Sequence, residues 1–179
     1  MDNGASSYRR YLDGDEEAFE QIVKDYFDNL VFFINRFVCD FTAAEDIAID
    51  VFTDLVVHRH RYNFSVTLKT YLFMLGRSRA LNYIKHRSKF SMEPLSQELP
   101  SDECTLEETL LSDQRKLAVN TALSRLSEEL RLVVHLCYFE ELSCEDAAKV
   151  MKKTKKQVYN LLYRAKTALR AVLEEEDVL

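Results

Sequence analysis

Residues 143–170 read SCEDAAKVMKKTKKQVYNLLYRAKTALR, and two capping signals punctuate them: Ser143 stands three residues before Asp146, and Thr154 three before Gln157. At such spacings a short polar side chain accepts an orphan amide N–H of a first helical turn, and the acid or amide reaches back. The stretch therefore predicts one short helix from Ser143 to Met151, a turn at Lys152 and Lys153, and a longer helix capped by Thr154 that reaches about Leu173. Two helices joined so tightly predict a helix-turn-helix. On the second helix Val158, Leu161, Leu162, Ala165, Ala168, Leu169 and Val172 follow the helical period and face inward. The opposite face carries Lys156, Tyr159, Asn160, Tyr163 and Thr167, with Lys155 at the helix start and Arg164 further along. Hydrogen-bonding tips and cations on the leading end of such a helix suit phosphates and base edges in a major groove.

Working outward, charge is segregated along the chain. Lys149 to Arg170 holds eight bases and no acid. Leu12 to Asp54 holds twelve acids against Lys24 and Arg36, a net of −10. Arg61 to Phe90 has seven bases and no acid, and 91–113 has seven acids, no base and both prolines, Pro94 and Pro100. An acidic, proline-bearing stretch between helical runs reads as a linker. Three bodies of sequence follow: a helical domain over 8–90, an acidic flexible linker over 91–112, and the helix-turn-helix domain over 113–174.

Composition restricts the fold to an all-α chain of two small helical domains. Three glycines and two prolines in 179 residues leave too few turn formers for a β-sandwich or propeller. Gly4, Gly14 and Gly76 are too far apart for a phosphate-cradling loop. Asp13 before Glu16 and Thr42 before Glu45 repeat the capping spacing and mark two further helices, and Ser127 caps another. The first long helix, from about Glu16 to Cys39, presents Phe19, Ile22, Val23, Tyr26, Leu30, Phe33, Ile34 and Phe37; the next buries Ile47, Ala48, Val51, Phe52 and Leu55. A third, from about Leu68 to Arg87, offers Tyr71, Leu72, Leu75, Ala80 and Ile84. In the last domain Leu130, Val133, Val134 and Cys137 form the face behind Ser127.

Cys39, Cys104, Cys137 and Cys144 lack C-x-x-C pairing, and no histidine follows a glutamate by three. Zinc-ribbon and helical di-iron sites are excluded, so no metal or other cofactor is expected. Cys39 and Cys137 read as small buried thiols, and His58 and His60 as surface residues. No nucleophile and base are paired for catalysis, so an enzyme is the least favoured class. The polar start of the chain lacks an apolar signal core, and no long uncharged apolar run occurs. The expectation is a cytoplasmic protein without membrane insertion.

The first basic stretch interleaves its charges with Tyr62, Phe64, Tyr71, Phe73 and Tyr83. Aromatic rings beside cations suit unstacked bases, each stack contributing about 1–3 kcal/mol. Tyr71 is assigned to the core, while Tyr62 and Phe64 suit either packing or stacking.

Four blocks carry a resemblance to a known family. They are Gly14-Asp15-Glu16-Glu17-Ala18-Phe19, the run from Ala44 to Phe52, Thr70 to Tyr83, and Leu126-Ser127-Glu128-Glu129 followed by Tyr138 to Ser143. Together they resemble an extracytoplasmic-function sigma factor of the sigma-70 superfamily, over nearly the whole chain and in the right order. The resemblance implies a promoter-specificity subunit with core RNA polymerase and promoter DNA as partners and no small-molecule substrate. Glu45, Asp46, Ile49, Asp50 and Phe52 would dock on polymerase. Arg61, Tyr62, Phe64, Lys69, Arg77, Arg79 and Lys85 would hold the melted minus-ten element. Lys155, Lys156, Tyr159, Asn160, Tyr163, Arg164 and Thr167 would read the minus-thirty-five duplex. The resemblance also implies an anti-sigma factor as a further partner.

The sequence departs from the family pattern at three positions: Ile49 stands where glutamine is usual, Tyr71 where tryptophan is, and Lys152 where the turn commonly has glycine. A turn of the usual shape would force Lys152 to a positive φ. The competing reading is a stand-alone helix-turn-helix regulator whose amino-terminal domain senses a ligand or dimerises.

Overall fold

A computed structural model describes residues 4–90 and 121–175 of the chain. The linker expected over 91–112, and the domain edges at 91 and 113, lie outside the described residues. The chain separates into two compact units, Met1–Pro100 and Ser101–Leu179. Every regular element among the described residues is helical.

The first unit contains α1 (Ala5–Leu12), α2 (Glu16–Val38), α3 (Phe41–Val57) and α4 (Leu68–Phe90). Helix α1 has no counterpart in the sequence reading. It starts from Gly4, whose φ of 71° suits glycine, and a Cβ there would lie 2.8 Å from Tyr26 Oη. Its Tyr8 and Tyr11 are buried against the bundle.

The caps of α2 and α3 correct two sequence assignments. Asp15, not Asp13, accepts the Ala18 N–H at 3.2 Å; Asp13 is the C-cap residue of α1, its N–H donating to the Arg9 carbonyl, and Asp15 stands directly before the first turn of α2. Asp40, not Thr42, caps α3, accepting the Ala43 N–H at 3.1 Å. Asp40 is extended, with φ −152°, while Thr42 already lies within the helix. Thr67 starts α4, its hydroxyl oxygen accepting the Thr70 N–H at 3.1 Å.

Packing follows the predicted period. Ile22, Leu30, Phe33, Ile34 and Phe37 of α2 are buried, as are Ile47, Ala48, Val51, Phe52 and Leu55 of α3 and Leu72 and Ala80 of α4. Each such large side chain contributes roughly 1.5–3 kcal/mol of burial. Gly76 allows α4 to approach α2, since a Cβ there would meet the Leu30 side chain at 2.8 Å. Cys39, expected in the core, is instead half-buried and ends α2 in the left-handed region with φ 49°.

In the second unit, helical residues 121–124 precede α5 (Glu128–Val134), which runs directly into a π-helix, His135–Phe139. Then come α6 (Cys144–Met151) and α7 (Lys155–Glu175). Ser127 stands at the α5 N-cap without a side-chain hydrogen bond. Ser143 Oγ accepts the Asp146 N–H at 3.0 Å. Thr154 and Gln157 form the reciprocal box: Gln157 N–H donates to Thr154 Oγ1 at 3.2 Å and Thr154 N–H donates to Gln157 Oε1 at 2.8 Å. Lys152 takes φ 55° and ψ 44°, the left-handed geometry expected of it. Leu130, Val133, Leu136, Ala147, Val150, Met151, Val158, Leu161 and Ala165 make the core of this unit.

Candidate nucleic-acid interface

On α7 the residues assigned to duplex reading form one continuous exposed surface. Lys155, Lys156, Tyr159, Asn160, Tyr163, Arg164 and Thr167 are all exposed, Tyr163 to 73%. Inward-facing Val158, Leu161, Leu162 and Ala165 hold this face outward. The turn fixes the start of the helix: Lys153 N–H donates to Ala148 O at 2.9 Å, and Lys152 N–H to Lys149 O at 3.3 Å. Two lysines beside this surface are committed within the unit, Lys153 to Glu129 at 2.5 Å and Lys155 to Glu145 at 3.6 Å. Lys156 and Arg164 have no ion-pair partner among the described residues. Their charge is available to an external anion.

The π-helix adds a feature absent from the sequence reading. Tyr138 and Phe139 are 53% and 61% exposed. A π-turn inserts one residue per turn and swings neighbours out of the 3.6 register, so a run that reads as core presents two rings to solvent. Lys166 Nζ lies 5.6 Å from the Tyr138 ring centroid, and its hydrogen bond to Tyr138 raises the lysine pKa.

The first unit places its candidate residues less uniformly. Arg61 and Lys85 are exposed; Phe64, Lys69, Arg77 and Arg79 are half-buried. Tyr62 is a correction. At 2% exposure it is a core residue, its hydroxyl donating to Val66 O at 2.6 Å and its ring set among Tyr8, Phe64 and Tyr71 at 4.7–5.3 Å. Burial pushes its phenol up to about 12. Its contribution is to hold the 62–67 loop, in which the Ser65 N–H also donates to Asn63 Oδ1 at 3.1 Å. Phe64 sits at φ 59°, a costly conformation for an aromatic residue, with the Arg9 guanidinium 4.9 Å from its ring centroid. Tyr71, assigned to the core, is half-buried. Burial lowers the Arg77 pKa.

The acidic set needs one correction as well. Glu45, Asp46, Ile49 and Asp50 are exposed, Ile49 to 52%, whereas Phe52 is 6% exposed and packs beside Phe19 and Phe27 at 6.4 and 6.0 Å. The same helical register that turns Val51 and Leu55 inward takes Phe52 with them. The acidic and basic sets also meet. Arg79 reaches Asp50 at 3.8 Å and Asp54 at 3.5 Å, and Arg61 reaches Asp54 at 3.3 Å.

Sequence reasoning missed the tie that α1 makes. The Tyr8 hydroxyl donates to Arg59 O at 2.9 Å and Leu55 O at 3.2 Å, and Arg59 lies over Tyr11 at 5.1 Å. This pins the end of α3, where His58, Arg59, His60 and Arg61 line a shallow depression. Both histidines are exposed, as expected. Among the described residues no three His, Cys, Asp or Glu side chains converge on a metal-sized site, and no helix is long and apolar enough to cross a membrane.

The chain is similar to several known proteins. Residues 116–169, which span the helix-turn-helix, match the family described as Sigma-70, region 4. The chain is 25% identical to RNA polymerase sigma-H factor of Pseudomonas aeruginosa, over 90% of this chain and 89% of that one. It is 23% identical to the ECF RNA polymerase sigma factor SigM of Bacillus subtilis, over 87% and 94%. Two solved structures share the fold. One is the sigma factor RpoE in complex with the anti-sigma factor NepR from Bartonella quintana, with a TM-score of 0.63, 19% identity, and coverage of 87% of this chain and 96% of that one. The other is CnrH in complex with the cytosolic domain of CnrY, with a TM-score of 0.59, 21% identity, and coverage of 97% and 96%.

Proposed function

The chain belongs to the sigma-70 family, as a factor of the extracytoplasmic-function type, and we propose that it is a promoter-specificity subunit that binds core RNA polymerase and directs initiation. The observation that carries this reading is the unbroken exposed face of α7, from Lys155 to Thr167, mounted on a capped tight turn. A helix so held presents its first turns to a major groove. Here Lys156 and Arg164 supply phosphate contacts and Tyr159, Asn160 and Tyr163 reach base edges at the minus-thirty-five element.

The first unit performs the complementary task on separated strand. Its 62–67 loop, pinned by the Tyr62 hydroxyl, presents the Phe64 ring, while Arg61, Lys69, Arg77, Arg79 and Lys85 lie on or beside α4. Phe64 receives an unstacked base and the cations follow the strand of the minus-ten element. Glu45, Asp46, Ile49 and Asp50 on α3 form the polymerase-docking surface, an acidic patch suited to a basic partner. The protein performs no bond chemistry, needs no cofactor and works in the cytoplasm. An anti-sigma factor is a further partner, as NepR is for the sigma factor RpoE in a complex whose sigma factor shares this fold.

Reconstitution with core polymerase tests the reading. Adding the chain should confer selective initiation on a subset of genomic fragments. Nanomolar operator binding at physiological salt without polymerase would favour the stand-alone regulator instead.

A further inference from the structure

Helix α1 carries none of the residues assigned to strand binding or to polymerase docking, yet it meets the 62–67 loop, Tyr8 lying 6.1 Å from Phe64 between ring centroids. The Tyr8 hydroxyl ties the helix to the end of α3 through Leu55 O and Arg59 O. The next residue, Arg9, places its guanidinium over the Phe64 ring, with Cζ 4.9 Å from the centroid. Arg9 is exposed and has no ion-pair partner among the described residues, whereas its neighbour Arg10 is held by Asp15. Tyr62 and Tyr8 meet the Phe64 ring tilted by 48° and 59°, so neither is stacked flat against it. Phe64 itself is half-buried and held at a left-handed φ of 59°, a strained position for any residue but glycine. Aromatic rings and guanidinium planes both stack on nucleobases. The ring and the cation over it are the two halves of a stacking clamp.

We propose that Arg9 is a further strand-binding residue, whose guanidinium closes over an unstacked DNA base seated on Phe64 and sandwiches it against the ring. In the free protein the guanidinium keeps the place of the base and covers the ring face. Entry of a base requires it to withdraw by the thickness of that base. A long exposed side chain does so by changing rotamer, while the Tyr8 hydrogen bonds keep α1 where it is. The clamp grips a π face, which every base has, so it adds affinity for separated strand and leaves sequence to be read by other contacts. Its charge alone is not enough: a lysine at this position would keep the cation and lose the plane that stacks.

This role for Arg9 rests on the 62–67 loop being the seat of a base, as proposed above, and the measurement separates the two. The full chain is titrated at low salt with a fluorescein-labelled DNA strand of randomised sequence, and with a strand of equal length in which every base is replaced by an abasic unit. Anisotropy follows binding. The wild type should prefer the base-bearing strand. Phe64→Ala should weaken binding of that strand about tenfold, the scale of one lost stacking contact. Arg9→Lys should weaken it several-fold, leave binding of the baseless strand unchanged, and add little when Phe64→Ala is already present. A wild type that binds both strands alike would overturn the seat and the clamp together. A preference lost in Phe64→Ala but intact in Arg9→Lys would overturn the clamp and leave the seat standing. Equal weakening of both strands by Arg9→Lys would make Arg9 a prop of the fold and overturn the clamp as well.

Discussion

Arg79 of α4 extends to Asp54 of α3, placing Nη2 3.5 Å from Oδ1. Arg61 reaches the other oxygen of the same carboxylate at 3.3 Å, and His58 approaches at 3.7 Å. The Asp54 side chain is only 11% exposed and is held among these partners. Asp54 is thus the joint between the acidic helix and the basic one. Asp54→Asn should destabilise the first unit by about 1.5–3 kcal/mol, the range for a hydrogen bond to a charged group. Urea denaturation checks this, and an unchanged midpoint would mean that the two arginines are held by packing alone.

Alkaline stability follows from the buried tyrosines. Burial pushes the Tyr8 phenol up to about 12 from an ordinary 10. A group whose folded pKa is raised contributes stability that is complete below pH 10 and lost as pH climbs toward about 12. A two-unit shift is worth on the order of 2–3 kcal/mol at its limit. Tyr62 behaves alike, so the wild type should lose stability steeply across this window. Tyr8→Phe should flatten that loss while lowering stability at neutral pH by about 1 kcal/mol, through the hydrogen bonds to Leu55 O and Arg59 O. Denaturation at several alkaline pH values separates the two effects.

Lys152 stands at φ 55° where a side chain is strained. Lys152→Gly should stabilise the helix-turn-helix unit by about 0.5–1 kcal/mol, and a β-branched replacement should destabilise it by more. Amide exchange of Ala147 to Val150 in the full chain reads the change locally. Slower exchange in the glycine variant is the expected result.

These outcomes rest on features that differ in how far sequence exposes them. The long helices are legible because their apolar residues recur at the helical period, and the α7 face because the same period assigns its opposite side. Helix α1 is not, since Tyr8 and Tyr11, though three apart, are too few apolar residues in an eight-residue run of serines and arginines to establish a period. The cap of α2 moves from Asp13 to Asp15 for the same reason: the choice is made by the end of α1, which the sequence does not announce. Tyr62 lies in a loop, where no periodicity says whether a ring faces in or out, and only the packing of Tyr8 and Tyr71 decides. The π-helix escapes because one extra residue per turn leaves no mark in the pattern of apolar residues.

The α3 surface makes a separate forecast for polymerase. Asp50 is a poor probe because it also meets Arg79 at 3.8 Å, so its replacement disturbs α4 as well as docking. Asp46 is exposed and has no ion-pair partner among the described residues. Asp46→Lys should slow association with core polymerase several-fold at low salt, the deficit shrinking as salt rises, because rim charges act mainly through the association rate. Stopped-flow association at two ionic strengths measures both. An association rate unchanged at both ionic strengths would place Asp46 outside the docking surface.

On α7, Lys156 and Tyr163 separate two ways of gripping DNA. Lys156→Glu removes a cation without a protein partner, so binding of the polymerase complex to upstream duplex should weaken more than tenfold. The log–log salt slope should become shallower by about 0.9, because one phosphate is no longer neutralised. Tyr163, 73% exposed, has its ring free of the core, so Tyr163→Ala should reduce discrimination between cognate and scrambled upstream elements with little change in slope. Association with core polymerase should persist in both variants, because α7 belongs to the second unit and the docking residues to the first. Titrating upstream duplex against the polymerase complex at several salt concentrations distinguishes the two. If both variants failed to bind polymerase, α7 would be an assembly surface, and the helix that reads duplex would have to be sought elsewhere in the chain.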